Sequence, residues 1–260
     1  MLLMRNYYFV VPSLPPLSAR ERPEITFEEF IQRLELNLSK EDLEKTRVLR
    51  RFVDIFNIRA LLMEEPVDIR GNLSEKELDE ALLVHASLPE YIFEFLDQFE
   101  KVPDKIRNFP GLLAQFFNSE IPKAKGFLRK YLEFERECRL VLAALRSKQT
   151  GRDIVKELQF EDPTDPFVAQ ILAQKDSDSY EPPAEYAELK ELIASCYNDP
   201  WLEHKAFAEY RLKKIEELAE GKMFSIDRIL CYMAQLMIIE SIFELDEQRG
   251  NMILDTFKSG

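Results

Sequence analysis

The chain has 260 residues, 46% of them apolar, and a formal net charge of −13. That is enough apolar material to bury a core, and the acidic balance excludes the basic surface that nucleic acid or an anionic lipid face requires. With only 7 glycines, phosphate loops, tight hairpins and nucleophile elbows have little to draw on, so the expected fold is all-α, built of multi-helix bundle units.

The first segment, Tyr7-Tyr-Phe-Val-Val-Pro-Ser-Leu-Pro-Pro-Leu-Ser18, sets five apolar residues ahead of Pro12, Pro15 and Pro16. Proline bars a continuing helix, so an extended N-terminal arm packed against the helices is expected. The start is too short and too broken for a secretory signal. Helices are then expected at about 26–37, 40–64, 75–86, 89–100, 104–117, 121–147, 183–197, 200–220 and 225–248. Their starts are marked by capping boxes at Thr26-Phe-Glu-Glu29 and Ser74-Glu-Lys-Glu77, and by Asp199-Pro200. Glycine is expected as a stop at Gly221 and Gly250. Within 121–147, Phe127, Tyr131, Phe134, Cys138, Val141 and Leu145 form one apolar stripe, with Arg129 and Arg136 opposite. The stretch 160–183 reads as a connection interrupted by one short helix, and 66–72 as a second break. The longest apolar run, Ile229 to Ile239, is far below the roughly 18 to 20 residues of a membrane span.

Chemistry-bearing motifs are sparse. Cys138, Cys196 and Cys231 have neither zinc nor disulfide spacing and are expected to be reduced and mostly buried. His85 and His204 stand apart from other ligand residues, and no G-x-x-x-x-G-K-[ST] or G-x-G-x-x-G occurs. No cofactor, metal site or catalytic residue is expected. Glu64-Glu65 and Glu133/Glu137 read as solvated faces, and Glu133 to Arg139 as a lattice of pairs along one helix. Charge is blocked along the chain. Residues 64–100 hold eleven acids against two bases, 101–152 five against twelve, and 157–199 again eleven against two. The acidic blocks are therefore expected to face a basic partner surface, with Glu94 and Asp97 as partner-binding residues.

Three segments resemble one another: 51–62, 134–145 and 236–245 each carry an acid (Asp54, Glu137, Glu240) followed by leucine or isoleucine. The N-terminal dozen, with Tyr7, Tyr8, Phe9, Leu14 and Pro15, resembles the opening of a family of uncharacterised bacterial proteins encoded in V/A-type ATPase operons. The segment 131–153, YLEFERECRLVLAALRSKQTGRD, is similar to the repeat of the C/d-type subunit of V/A-type ATPases: an acid, leucines, then Arg-x-Lys-x-x-Gly, here Arg146, Lys148 and Gly151. The first and third segments lack that ending.

The resemblance implies a single helical domain over 1–260, with sub-units 1–72, 73–160 and 161–260 arranged around a funnel. It implies a non-catalytic role joining the central rotor shaft to the membrane ring, in the cytoplasm and peripheral to the membrane only through the complex. The partners so implied are the shaft proteins and the ring, with no nucleic acid. The alternatives are a helical adaptor or assembly factor, or an enzyme with an acidic cleft.

Overall fold

A computed structural model describes residues 7–196, 199–219 and 223–258, with side chains described as far as 247. The helices run in the order α1 (Phe27–Asn37), α2 (Lys40–Leu62), α3 (Glu75–Val84), α4 (Glu90–Asp97), α5 (Val102–Arg107), α6 (Phe109–Glu120), α7 (Gly126–Thr150), α8 (Ile154–Glu157), α9 (Pro166–Leu172), α10 (Ala187–Ser195), α11 (Pro200–Leu218) and α12 (Ile226–Lys258). Among the described residues there is no β-strand, and the fold is all-α as expected. No helix there is long and apolar enough to cross a membrane.

The residues group into two compact units made of discontinuous stretches. The first takes the described parts of Met1–Leu49, Gly126–Leu128 and Asn198–Gly260, and the second takes Arg50–Lys125 and Arg129–Tyr197.

In the first unit, Phe27, Phe30 and Leu34 recur at spacings of three and four, which puts them on one buried stripe of α1. That stripe meets α12, where the Phe30 and Tyr232 rings lie 5.2 Å apart. Each such buried side chain contributes about 1.5 to 3 kcal/mol. α11 packs along α12, and Glu216 bonds both Arg228 and Gln235 across that seam.

The N-terminal segment departs from the extended arm. Val10 is helical, and Val11–Ser13 is a 3₁₀ turn. Proline early in such a turn has no N–H that needs a partner, so Pro12 permits a helical turn where an extended chain is expected. Tyr7 and Val10, three residues apart, are buried, whereas Tyr8 is 57% and Phe9 91% exposed. The Tyr7 N–H donates to the Phe224 carbonyl at 2.7 Å, and its hydroxyl donates to the Asp42 carboxylate on α2.

The second unit is centred on phenylalanines. Phe52 lies 5.5 Å from Phe116, 5.6 Å from Phe117 and 5.1 Å from Phe56. The single helix expected over 104–117 is divided at Asn108, because Pro110 lacks the N–H that would bond back one turn and instead opens α6. The stripe on α7 is buried throughout. Arg136 is not on a solvent face, however. Its guanidinium bonds Glu161 at 2.9 Å and Asp165 at 3.2 Å, and Arg139 bonds the same Glu161. The charges between Glu133 and Arg139 therefore reach across to another segment rather than forming only a lattice along their own helix. The connection 160–183 contains α9 as its one short helix. At the other end of the chain α12 passes through Gly250, because an interior glycine costs a helix only about 1 kcal/mol. Gly221 lies outside the described residues.

Candidate partner-docking surface

α3 and α4 form an acidic helical pair. Ser74 caps α3 through the N–H of Glu77, whose carboxylate returns to the Ser74 N–H, so both capping boxes read from the sequence are made. Leu78 and Ala81 point inward from α3, and Ile92, Phe93, Phe95 and Leu96 from α4, which packs on α6. The outward positions carry Glu75, Asp79, Glu80, Glu90, Glu94 and Asp97, all exposed.

Between the two helices the chain turns sharply, with His85 and Ser87 at φ of 52 and 66 degrees. The His85 ring stacks on Phe93 at 4.7 Å and 10 degrees, and its Nε2 lies 3.9 Å from the Asp97 carboxylate. This turn leaves Leu83 75% and Val84 70% exposed beside the carboxylates. Leu83 and Val84 are thus adjacent aliphatic side chains exposed to water on a segment rich in carboxylates. Glu94 and Asp97 are both exposed on α4. Sequence reasoning missed Leu83 and Val84, although Leu82-Leu83-Val84 at a helix end gave a signal, since a helix cannot turn three consecutive residues inward.

The three acids of the similar segments fall on long helices, and each bonds a residue at or shortly before the start of a shorter helix, through different donors. Asp54 on α2 accepts from the Asn72 N–H at 2.6 Å, the Asn72 side-chain amide at 2.7 Å and the Leu73 N–H at 3.3 Å, at the residues leading into α3. Glu137 on α7 accepts from the hydroxyl of Tyr186, the residue that opens α10. Glu240 on α12 accepts from the N–H of Phe27, the first residue of α1, at 2.7 Å. Helix starts carry unsatisfied N–H groups and positive dipole ends, which suits the Glu240 carboxylate to the first N–H of α1, whereas Asp54 ties the loop before α3 and Glu137 takes a tyrosine hydroxyl. Burial raises the Asp54 and Glu137 carboxyls above their usual range despite those bonds.

The remaining signature residues divide by role. Lys148 donates to the carbonyls of Lys175 at 2.6 Å and Ser177 at 2.5 Å, tying down the connection after α9. Gly151 ends α7 at a φ of 67 degrees, where a side chain would be strained, and the Arg152 N–H then bonds back to the Ser147 carbonyl at 2.9 Å. Arg146 is exposed. Leu14 and Pro15 line a surface recess of about 660 Å³.

Among the described residues no three His, Cys, Asp or Glu side chains converge as a metal site. Cys138, Cys196 and Cys231 are free and buried, and burial pushes the Cys231 thiol up to about 12. Burial, then the charge of Arg211, lowers His204.

Composition and fold define an acidic protein that is all-helical among the described residues. Over residues 4–260 the chain matches the family described as "Protein of unknown function (DUF2764)", and it belongs to that family. Its relatives include an "Uncharacterized protein" of Chlamydia muridarum (strain MoPn / Nigg), 28% identical over 264 residues with 99% of each chain covered. Another, from Chlamydia trachomatis serovar D, is 26% identical over 264 residues, again covering 99% of each. A third, from Chlamydia pneumoniae, is 28% identical over 240 residues and 90% of each. No solved structure matches the chain.

Proposed function

We propose that this chain is a non-catalytic component of a V/A-type ATPase, of the C/d type, which couples the central rotor shaft to the membrane ring through rigid protein contacts. It works on the cytoplasmic side, peripheral to the membrane through the complex alone. The observation that carries the reading is that α2, α7 and α12 each hold an acid bonded to a residue at or shortly before the start of a shorter helix. Three units built alike, as the C/d-type resemblance implies, would each place an acid near a helix start, and 1–72, 73–160 and 161–260 each contribute one of the acids. The role of Lys148 and Gly151 in ending α7 and holding the following connection adds support, since it gives the Arg-x-Lys-x-x-Gly run a structural reason. The acidic, apolar-tipped α3–α4 pair is the surface offered to a basic shaft.

Affinity purification of the tagged chain from its native cells tests the reading, with shaft and ring proteins expected at near-equal amounts. A helical adaptor or assembly factor would use the same acidic pair but would leave the finished enzyme. Recovery with partly assembled ATPase components, and none with the intact ATPase, would favour that second reading.

A further inference from the structure

The recess beside the N-terminal turn has features that the acidic pair lacks. One wall is the run from Pro12 to Pro16 and the other is the start of α1 with the residues before it. Both walls are held in advance. Proline fixes its own φ, Ser13 bonds the Val10 carbonyl, and Arg33 donates to the Ser13 carbonyl at 2.7 Å and to its hydroxyl at 3.3 Å. On the other side the Thr26–Glu29 capping box fixes the first turn of α1. A recess made rigid before binding loses little entropy when it is filled, and about 660 Å³ of open surface space admits a side chain with its neighbours.

Its chemistry is selective. Leu14 and Pro15 supply apolar lining over the buried Ile25, the Glu24 carboxylate stands at the rim, and that of Glu29 beside it accepts from Thr26. Backbone and side-chain hydrogen bonds from Thr26 hold the Glu29 carboxyl below its usual range, so it stays charged. The one cation in the lining, Arg33, is turned onto Ser13. Nearby, Tyr232 is 6% exposed, and its hydroxyl has no hydrogen-bond partner among the described residues, although it lies close enough to Arg33 and Glu24 to feel both charges. With two carboxylates against one guanidinium that is bonded to Ser13, the recess disfavours phosphates and acidic peptides. A wall of proline rings gives too few oxygens for a divalent cation, which takes six or more. What fits is a cationic side chain with apolar neighbours.

We infer that this recess docks a lysine- or arginine-bearing, apolar-flanked segment of a partner protein. Its apolar flanks lie against Leu14 and Pro15, above the buried Ile25, and its cation meets Glu24 and Glu29. The site does not depend on the ATPase reading and stands or falls separately from it.

The test uses the full chain and three blocked peptides, acetyl-Leu-Lys-Leu-amide and its Gln and Glu counterparts, followed by methyl NMR. The lysine peptide is expected to shift the Leu14 and Ile25 methyls saturably and to bind about tenfold tighter than the glutamine peptide, with the glutamate peptide weakest. Glu24→Gln, an exposed change that leaves the fold intact, is expected to remove most of that preference. Equal binding of all three peptides, shifts centred elsewhere, no saturable shift, or an unchanged preference in Glu24→Gln would overturn the inference, whatever the ATPase components do.

Discussion

The carboxylate of Glu240 accepts the backbone N–H of Phe27 at 2.7 Å, joining residues 213 apart in sequence at the first turn of α1. Thr26 and Glu29 cap the same turn locally, so α1 is fixed in place both by its own sequence and by a distant helix. Asp54 does the same at the approach to α3, where Ser74 and Glu77 form the second capping box.

Asp54→Ala is expected to destabilise the fold by about 3 kcal/mol, because Asp54 is buried and its loss strands two backbone N–H groups and the Asn72 amide. Glu240→Ala, which removes the bond to Phe27 from a half-buried side chain, is expected to cost about 1 to 2 kcal/mol. Urea unfolding of each variant checks the order. Equal, negligible losses would remove the joint from the account.

In the N-terminal turn the stabilising contacts belong to Tyr7 and not to Phe9. Tyr7→Ala is expected to cost about 3 kcal/mol through lost burial and the lost bond to Asp42. Phe9→Ser, at a side chain that is 91% exposed, should leave the melting temperature within about 2 °C. A large loss at Phe9 would contradict the outward placement.

Asp42 gives a pH test. Burial opposes its ionisation, yet the bonds from Lys45 and Tyr7 outweigh that, and its folded pKa lies below the usual value. Its contribution is therefore fully present above about pH 4, where the unfolded carboxyl ionises, and is lost as pH falls through the lower folded value. Asp42→Asn should flatten the fall in stability over that window, as read by chemical unfolding at each pH. An unaltered slope would sink the assignment.

Two glycines separate close approach from backbone freedom. A Cβ on Gly71 would lie 2.5 Å from Asp54 Oδ1 and 2.9 Å from Asn57 Nδ2, so Gly71→Ala is expected to cost about 1 to 3 kcal/mol by forcing the joint apart. At Gly151 nothing lies within 4 Å, and only the positive φ is strained, at about 1 kcal/mol. Thermal unfolding of both variants should rank Gly71→Ala as the more damaging.

Much of the fold is legible where the signal is local. Both capping boxes, the Asp199 cap and the α7 stripe follow from residues within a turn or two of each other. The divided helix at Asn108 is legible too, since Pro110 marks it, but the apolar pattern across 104–117 masks the missing N–H. What stays hidden depends on distant partners. Nothing in Glu161 announces Arg136 and Arg139, and Lys148 finds its carbonyls 27 and 29 residues on. The exposure of Leu83 and Val84 likewise depends on how α4 packs on α6.

The α3–α4 surface makes a kinetic prediction. Reversing Glu94 and Asp97 to lysine should slow association with the rotor shaft several-fold, and added salt should slow the wild type toward the same rate. Leu83→Ser should instead speed dissociation, because it removes apolar contact rather than steering charge. Surface-plasmon measurements of both rates decide, and rates indifferent to salt and reversal would leave the acids as a merely solvated face.

The most direct test of coupling is the number of ions transported per ATP hydrolysed in native membrane vesicles, with and without the chain. Loss of the chain is expected to abolish transport while hydrolysis by the catalytic head persists, with recovery on adding the purified protein back. Transport and hydrolysis that remain coupled at the same ratio in its absence would contradict the account.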